Sequence, residues 1–242
     1  MARIENFSAL TISTLRIRLT RAALTITVDE VADIQVAISG EHPDSVKLRR
    51  QDGILSIAQS LHPGHKISEV LIILPMDWKG AVDASTLTGV INAGGMVGTD
   101  LMLRSLTGGV FAESLQGITA YLRTLTGAIA VSDMACERLH VRTLCGQVLL
   151  SACCFLTGQS FALRSRAEMD LAGPFDALSV RCLFGSMTVY APLDQADASL
   201  TSLSGRLHTD GVTHTAGAPR LRMQSVTADL QLICSLDTQA MI

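Results

Sequence analysis

Through the first 75 residues apolar side chains fall on every second position: Leu15, Ile17 and Leu19, then Leu24, Ile26 and Val28, then Ile34, Val36 and Ile38. A period of two marks strands with one buried face. Val46-Lys47-Leu48 and Ile54-Leu55-Ser56-Ile57 continue the pattern, with a hairpin-type turn at Gln51-Asp52-Gly53 between them. Gly40-Glu41-His42-Pro43-Asp44 reads as a turn, Ser60 to Lys66 (holding Pro63-Gly64) as a loop, and Val70 to Leu74 as a continuous apolar strand ended by Pro75. No amphipathic helix of useful length is visible in the chain.

From Gly80 a different regularity takes over. Thr86-Leu87-Thr88-Gly89 returns as Ser105-Leu106-Thr107-Gly108, Thr124-Leu125-Thr126-Gly127 and Thr143-Leu144-Cys145-Gly146, with the glycines 19 residues apart. After a degraded copy the phrase resumes as Cys182-Leu183-Phe184-Gly185 and Ser202-Leu203-Ser204-Gly205. A fixed period near 20 is the signature of stacked repeats. Apolar residues recur seven and five positions before each glycine (Leu101 and Leu103, Ala120 and Leu122) and two and four after it (Val110 and Ala112, Ile129 and Val131). Each repeat therefore reads as two short strands that meet at a corner, where glycine relieves backbone strain. The Thr, Ser and Cys at 86, 105, 124, 143, 182 and 202 would form an inner ladder. Two copies are irregular: around Phe161 to Ser165, Glu168 falls at the expected glycine, and around Leu221 to Ser225, Ala228 does. The residues Ser151 to Phe155 read as a loop or bulge.

These periods predict an all-β protein: a parallel β-helix or solenoid of ~19-residue coils, capped by an N-terminal strand-rich segment. The expected divisions are a cap over 1–78, repeats over 79–235 and a tail over 236–242. About eight coils stacked ~4.8 Å apart give a length of roughly 40 Å.

The repeated Leu-x-Leu-x-Thr-x-Thr/Ser-Gly-x-Ile/Val phrase, following a lead-in that ends in Ile73-Leu74-Pro75, resembles the bacterial putative-adhesin domains of unknown function that carry β-strand repeats. The likeness covers Ile34 to Pro75 and Val82 to Leu232. It implies a single-stranded, right-handed parallel β-solenoid with no assigned enzymatic activity. Members of that family often sit behind a membrane anchor or a small helical module, and neither is seen here.

Composition narrows the partners. Hydrophobic residues make up 48% of the 242 residues and aromatic ones 4%, which suits thin coils filled by Leu, Ile, Val, Ala and Thr. A net charge of −3 argues against sequence-specific or general nucleic-acid binding. The first ten residues lack a basic head followed by an apolar run, and no 18-residue apolar window occurs, so a cytoplasmic location is expected without excluding association with the cell surface. The six cysteines have no metal-ligand spacing, and Cys145 and Cys182 stand for Thr or Ser in the repeat, as reduced buried thiols would.

One column carries candidate chemistry. Four residues before the corners stand Ser85, Arg104, Arg123, Arg142, Arg164 and Arg181, then Thr201 and Gln224. Flanked by inward residues, this column should face outward. Two residues earlier stand Met102, Tyr121, His140, Ala162 and Ser179, with no carboxylate to pair the guanidinium groups. A stacked Arg104–Arg123–Arg142–Arg164–Arg181 column would suit an anionic glycan, a phosphorylated polymer, an anionic lipid surface or an acidic protein. The bland alternative is a solvated edge that resists aggregation.

Other chemistry is sparser. The acids Asp83, Asp100, Glu113, Asp133, Glu137, Asp170 and Asp176 form no recurring cluster of the kind a polysaccharide-cleaving β-helix enzyme needs. The histidines, including His62, His65, His208 and His214, show no converging metal set. Gly94-Gly95-Met96-Val97-Gly98 precedes no helix that could hold a phosphate and reads as a turn. No cofactor, metal or catalytic residue is expected. The reading is a non-enzymatic structural or interaction module, with self-assembly into a homo-oligomer as a further option.

Overall fold

A computed structural model describes residues 2–60 and 67–235. The expected loop around His62 to His65 and the expected tail over 236–242 lie outside the described residues. The lead-in forms β1 (Ala2–Ser8), β2 (Thr14–Arg18), β3 (Ala23–Asp29), β4 (Asp33–Gly40), β5 (Val46–Gln51), β6 (Ile54–Gln59) and β7 (Ile67–Pro75). The alternating apolar positions set β2 to β7, because each turns Leu, Ile or Val onto one buried face. β1 was not foreseen. Its pattern has no fully buried position, with Ile4 turned to solvent, so no apolar stripe announces it.

The repeat region forms β8 (Ala81–Thr86), β9 (Ile91–Gly94), β10 (Asp100–Ser105), β11 (Val110–Arg123), β12 (Ile129–Cys145), β13 (Val148–Leu171) and β14 (Ala177–Ala191). It closes with β15 (Gln195–Thr201), β16 (Leu207–Asp210), β17 (Thr213–His214), β18 (Arg220–Gln224) and β19 (Asp229–Cys234). The fold is all-β, a large mixed sheet. β1–β4, β4–β7 and β5–β6 are antiparallel, and the other strand pairs are parallel.

The parallel register keeps the period of the sequence. Leu101 lies against Ala120, Ala120 against Leu139 and Leu139 against Gly158, each a step of 19. Between β13 and β14 the step becomes 20, as in Leu163's neighbours Ala162↔Cys182 and Arg164↔Phe184. The copies in β11, β12 and β13 have three extended segments, one more than expected. In β11 these are Val110 to Glu113, then Leu115 to Gly117, then Thr119 to Arg123, each matched residue by residue in β12. The bend before the added segment falls at Gly95, Ser114, Asp133 and Ala152, all of which have positive φ (75°, 51°, 52° and 51°). Ser151 to Phe155 therefore belongs to this segment and is no loop, with Cys153 and Phe155 buried.

The glycine corners differ in cause from the expectation. Gly89, Gly108, Gly127 and Gly146 have no positive φ. A Cβ at Gly127 would lie 2.1 Å from the carbonyl oxygen of Gly108, and one at Gly108 1.9 Å from that of Gly89. Close stacking of one corner on the next, rather than backbone strain, selects glycine. Inner hydroxyls lock the corners at Gly89, Gly108 and Gly127. Thr124 Oγ1 accepts from Gly127 N at 3.0 Å and donates to Gly108 O at 3.0 Å, and Ser105 does the same between Gly108 N and Gly89 O at 2.8 and 3.1 Å.

Neither end of the array follows chain order. β2 and β3 sit between β6–β7 and β8–β9, paired in parallel on both sides. At the other end β18 and β19 are inserted between β14 and the strands β15 and β16. Trp78, buried in the crossing from β7 to β8, donates from Nε1 to Ile12 O at 2.8 Å over Gly80, where a Cβ would meet the indole at 2.1 Å.

Candidate functional site: a basic sheet face

Along one face the strands lie in the order β5–β6–β2–β8–β10–β11–β12–β13–β14–β18–β15. Alternation turns every second side chain outward, which makes columns across the strands. One column runs Lys47, Ala58, Arg18, Ser85, Arg104, Arg123, Arg142, Phe161, Arg181, Gln224 and Thr201. Four of the five arginines expected to align do so. Arg164 does not: it pairs with Cys145 and Phe184 at the corner, and Phe161 holds its place in the column. The guanidinium carbon of Arg142 sits 5.0 Å from the Phe161 ring centre, so the column is bridged there by a cation–π contact.

Arg18, Lys47 and Arg49 extend the basic surface beyond the repeats, and the sequence reading missed them because they belong to the lead-in. The neighbouring column holds Arg49, Ser56, Arg16, Asp83, Met102, Tyr121, His140, Gln159, Ser179 and Arg222. A third column adds Arg138 and Arg220 with Asp100 and Asp197. Among the described residues this face carries eleven of the chain's 19 Lys and Arg, but only three of its 22 Asp and Glu. The protein is acidic as a whole and basic here.

A carboxylate does reach the arginines, contrary to the expectation that none would. Asp83 pairs with Arg18 through one oxygen and with Arg104 Nη2 through the other at 2.6 Å. Burial raises its carboxyl, but the hydrogen bonds and charges of Arg18 and Arg104 outweigh this and hold it below the ordinary carboxylate range. Arg123, Arg142 and Arg181 have no such acid beside them in the register, since their flanking columns hold Tyr121, His140, Gln159 and Ser179. Arg142, Arg181 and those four side chains border a depression of about 430 Å³. Tyr121 and His140 approach with ring centres 6.1 Å apart. A second hollow of about 480 Å³ lies over Arg16, Arg18, Lys47 and Arg49.

The remaining candidates are engaged locally. Asp100 Oδ1 accepts from Thr119 N at 3.1 Å, and Asp133 Oδ2 from the Ser114 hydroxyl at 3.0 Å. Among the described residues no three His, Cys, Asp or Glu side chains gather as a metal set; His62 and His65 lie outside them. The six cysteines are unpaired, and Cys145 is exposed whereas Cys182 is buried. Burial pushes the Cys136 thiol up to about 11 and Cys153 to about 12, so neither is a thiolate at neutral pH. Gly94-Gly95-Met96-Val97-Gly98 supplies the first copy of the added segment, with Met96 buried and Val97 bridged to Gln116. Among the described residues no helix is long and apolar enough to cross a membrane.

No family model matches the chain, and no curated protein matches it. Solved structures do. A putative adhesin from Bacteroides fragilis NCTC 9343 aligns with a TM-score of 0.60 at 9% identity, over 96% of this chain and 97% of that one. Putative adhesins from Parabacteroides distasonis ATCC 8503 and Parabacteroides merdae ATCC 43184 each align at a TM-score of 0.50, with 10% and 11% identity. They cover 96% and 95% of this chain and 97% and 95% of their own. At such identities the likeness is one of fold, held along nearly the whole length of each chain.

Proposed function

We infer that this chain is a non-enzymatic interaction module that engages an extended anionic partner along its basic sheet face. The observation that carries the reading is the charge segregation: eleven cations against three carboxylates on one continuous face of a chain with net charge −3. The fold pairs Arg104 with Asp83 but sets no carboxylate beside Arg123 or Arg142 in the register, and like charges in successive strands at these three positions oppose the stack. The likeness to bacterial proteins named as putative adhesins supports an interaction role.

The architecture we assign is a parallel β-solenoid, with residues 2–78 as cap and 79–235 as coils. Its support is the step of 19 from β8 through β13, the three matched segments of β11, β12 and β13, and the positive-φ bend that recurs at Gly95, Ser114, Asp133 and Ala152. The right hand is assigned because parallel crossovers take it in nearly all cases. With eleven strands across the face, spaced ~4.8 Å, the basic surface is about 48 Å long, which suits a linear polyanion. The six unpaired thiols suit a reducing compartment.

The test is binding to heparin and to inorganic polyphosphate at low and moderate salt. Salt-sensitive binding that Arg123→Glu with Arg142→Glu removes, and that Arg50→Glu on the opposite side of β5 leaves in place, is expected. Binding that ignores the Arg123 and Arg142 reversals would overturn the assignment.

A further inference from the structure

We propose that the corner beside the arginine column is a lipid-docking ridge, and that the anionic partner is a lipid surface. This rests on the basic-face reading and goes beyond it by naming the partner. The next outward column after the arginines is the leucine of the repeated phrase: Leu87, Leu106, Leu125, Leu144, Leu183 and Leu203. Backbone bonds stack these corners directly. Leu125 N donates to Leu106 O and Leu144 N to Leu125 O, each at 3.1 Å, and Thr107 N donates to Leu87 O at 2.9 Å. At the far end Val226, which occupies the column in β18's coil, bonds to Leu183 O, and Leu203 bonds to Val226 O.

Single exposed leucines are ordinary on any protein surface and need no explanation. A stacked column of them is another matter. Leu87 and Leu106 are 46% and 44% exposed and Leu203 is 87% exposed, while Leu125, Leu144 and Leu183 between them are half-buried. Nothing in the fold requires apolar side chains there, because the corner is held by main-chain bonds and by the inward hydroxyls. The outward columns of the adjoining face hold mainly charged and polar side chains, so the leucines break the rule of that surface.

A soluble polyanion would use the cations and leave the leucines wet. An anionic membrane uses both: apolar side chains enter the headgroup–acyl boundary while flanking arginines meet the phosphates. The two columns are adjacent, so Arg104 and Arg123 flank Leu106 and Leu125 on the same turns of chain. Their charge complements that of phosphatidylglycerol or another acidic lipid. Phe184 (45% exposed) and Arg164 stand one residue past the leucine column on the same corner, and they extend the ridge in kind. Arg164, absent from the main column, gains a place on the docking edge.

The experiment is cosedimentation with vesicles of phosphatidylglycerol in phosphatidylcholine and of phosphatidylcholine alone, with heparin binding measured in parallel. Three proteins are compared: the unaltered chain, Leu87→Ser with Leu106→Ser, and Arg123→Glu with Arg142→Glu. Circular dichroism melting confirms that each variant folds, and the exposed leucines make the first pair a mild change. The ridge predicts binding to the acidic vesicles only. That binding should weaken about fivefold for each arginine lost and about tenfold or more for the leucine pair, whose heparin binding stays unchanged. Acidic vesicles bound equally well by the leucine variant would overturn the ridge. Heparin bound and vesicles ignored would overturn it too, while leaving the basic face standing as a site for a soluble polyanion. Neither bound would remove both.

Discussion

A single missing methyl group governs how closely the glycine corners of successive strands approach. At Gly127 the backbone is one that any residue could adopt, yet a Cβ would stand 2.1 Å from Gly108 O. Gly127→Ala must push two corners apart and should cost about 1–3 kcal/mol, read as a lowered Tm; an unchanged Tm would show that the corner can yield. The hydroxyl beside it makes a sharper comparison. Thr124 Oγ1 both accepts and donates, whereas Thr143 Oγ1, one copy on, is buried without a partner and lies in register with Ala162. Thr124→Val should lose about 1–3 kcal/mol by leaving a buried amide and carbonyl unpaired. Thr143→Val should be neutral or stabilising, and chemical denaturation of the two variants distinguishes these outcomes. Equal losses would mean that the ladder is not what holds the corners.

At the scale of elements the central balance is between Asp83 on β8 and the arginines on either side of it. Asp83 ties β2 to β10 through Arg18 and Arg104. Its carboxyl is depressed in the folded state, so its contribution to stability is full above the ordinary carboxylate value of 3.8 and fades as pH falls below it. Asp83→Asn should therefore lower the Tm slightly at neutral pH, with the difference from the unaltered chain shrinking towards pH 3. The same change should strengthen polyanion binding, because it frees Arg18 and Arg104. Weaker binding by the Asn variant would contradict the assignment of those arginines to the face.

Much of this was legible in the sequence. The period of 19, the inward columns, the hydroxyl ladder and four of the five arginines follow from spacing alone. Arg164 is hard to place because the copy that lacks its glycine offers Phe161 to Ser165 as a false echo of the phrase. Holding the period from Arg142 leads to Phe161, and from Gly146 to Ser165, which is where the structure puts them. The third segment was hidden for a physical reason. In its first three copies it has one fully buried side chain, Met96, Leu115 or Met134, so no alternation can show there. Asp83 is not evident as a partner because its own strand carries Ser85 rather than an arginine in the column.

Across the whole molecule, each end holds a pair of strands slipped out of chain order. Peeling β15 and β16 from the end uncovers β18 and β19, which still pair with β14, and the lead-in does the same with β2 and β3. Hydrophobic pattern cannot reveal this, since an inward Leu serves equally beside either neighbour. The arrangement keeps one continuous face from Lys47 to Thr201, capped at its β5 edge by Lys47 and Arg49, charges that discourage pairing with another sheet. The most direct test of that face is the salt dependence of polyphosphate binding. A plot of log affinity against log salt should fall steeply for the unaltered protein, and Arg123→Ala with Arg142→Ala should reduce its slope by about two, roughly one per arginine. A slope that is flat, or that the two substitutions leave unchanged, would contradict a basic face that binds by its charge.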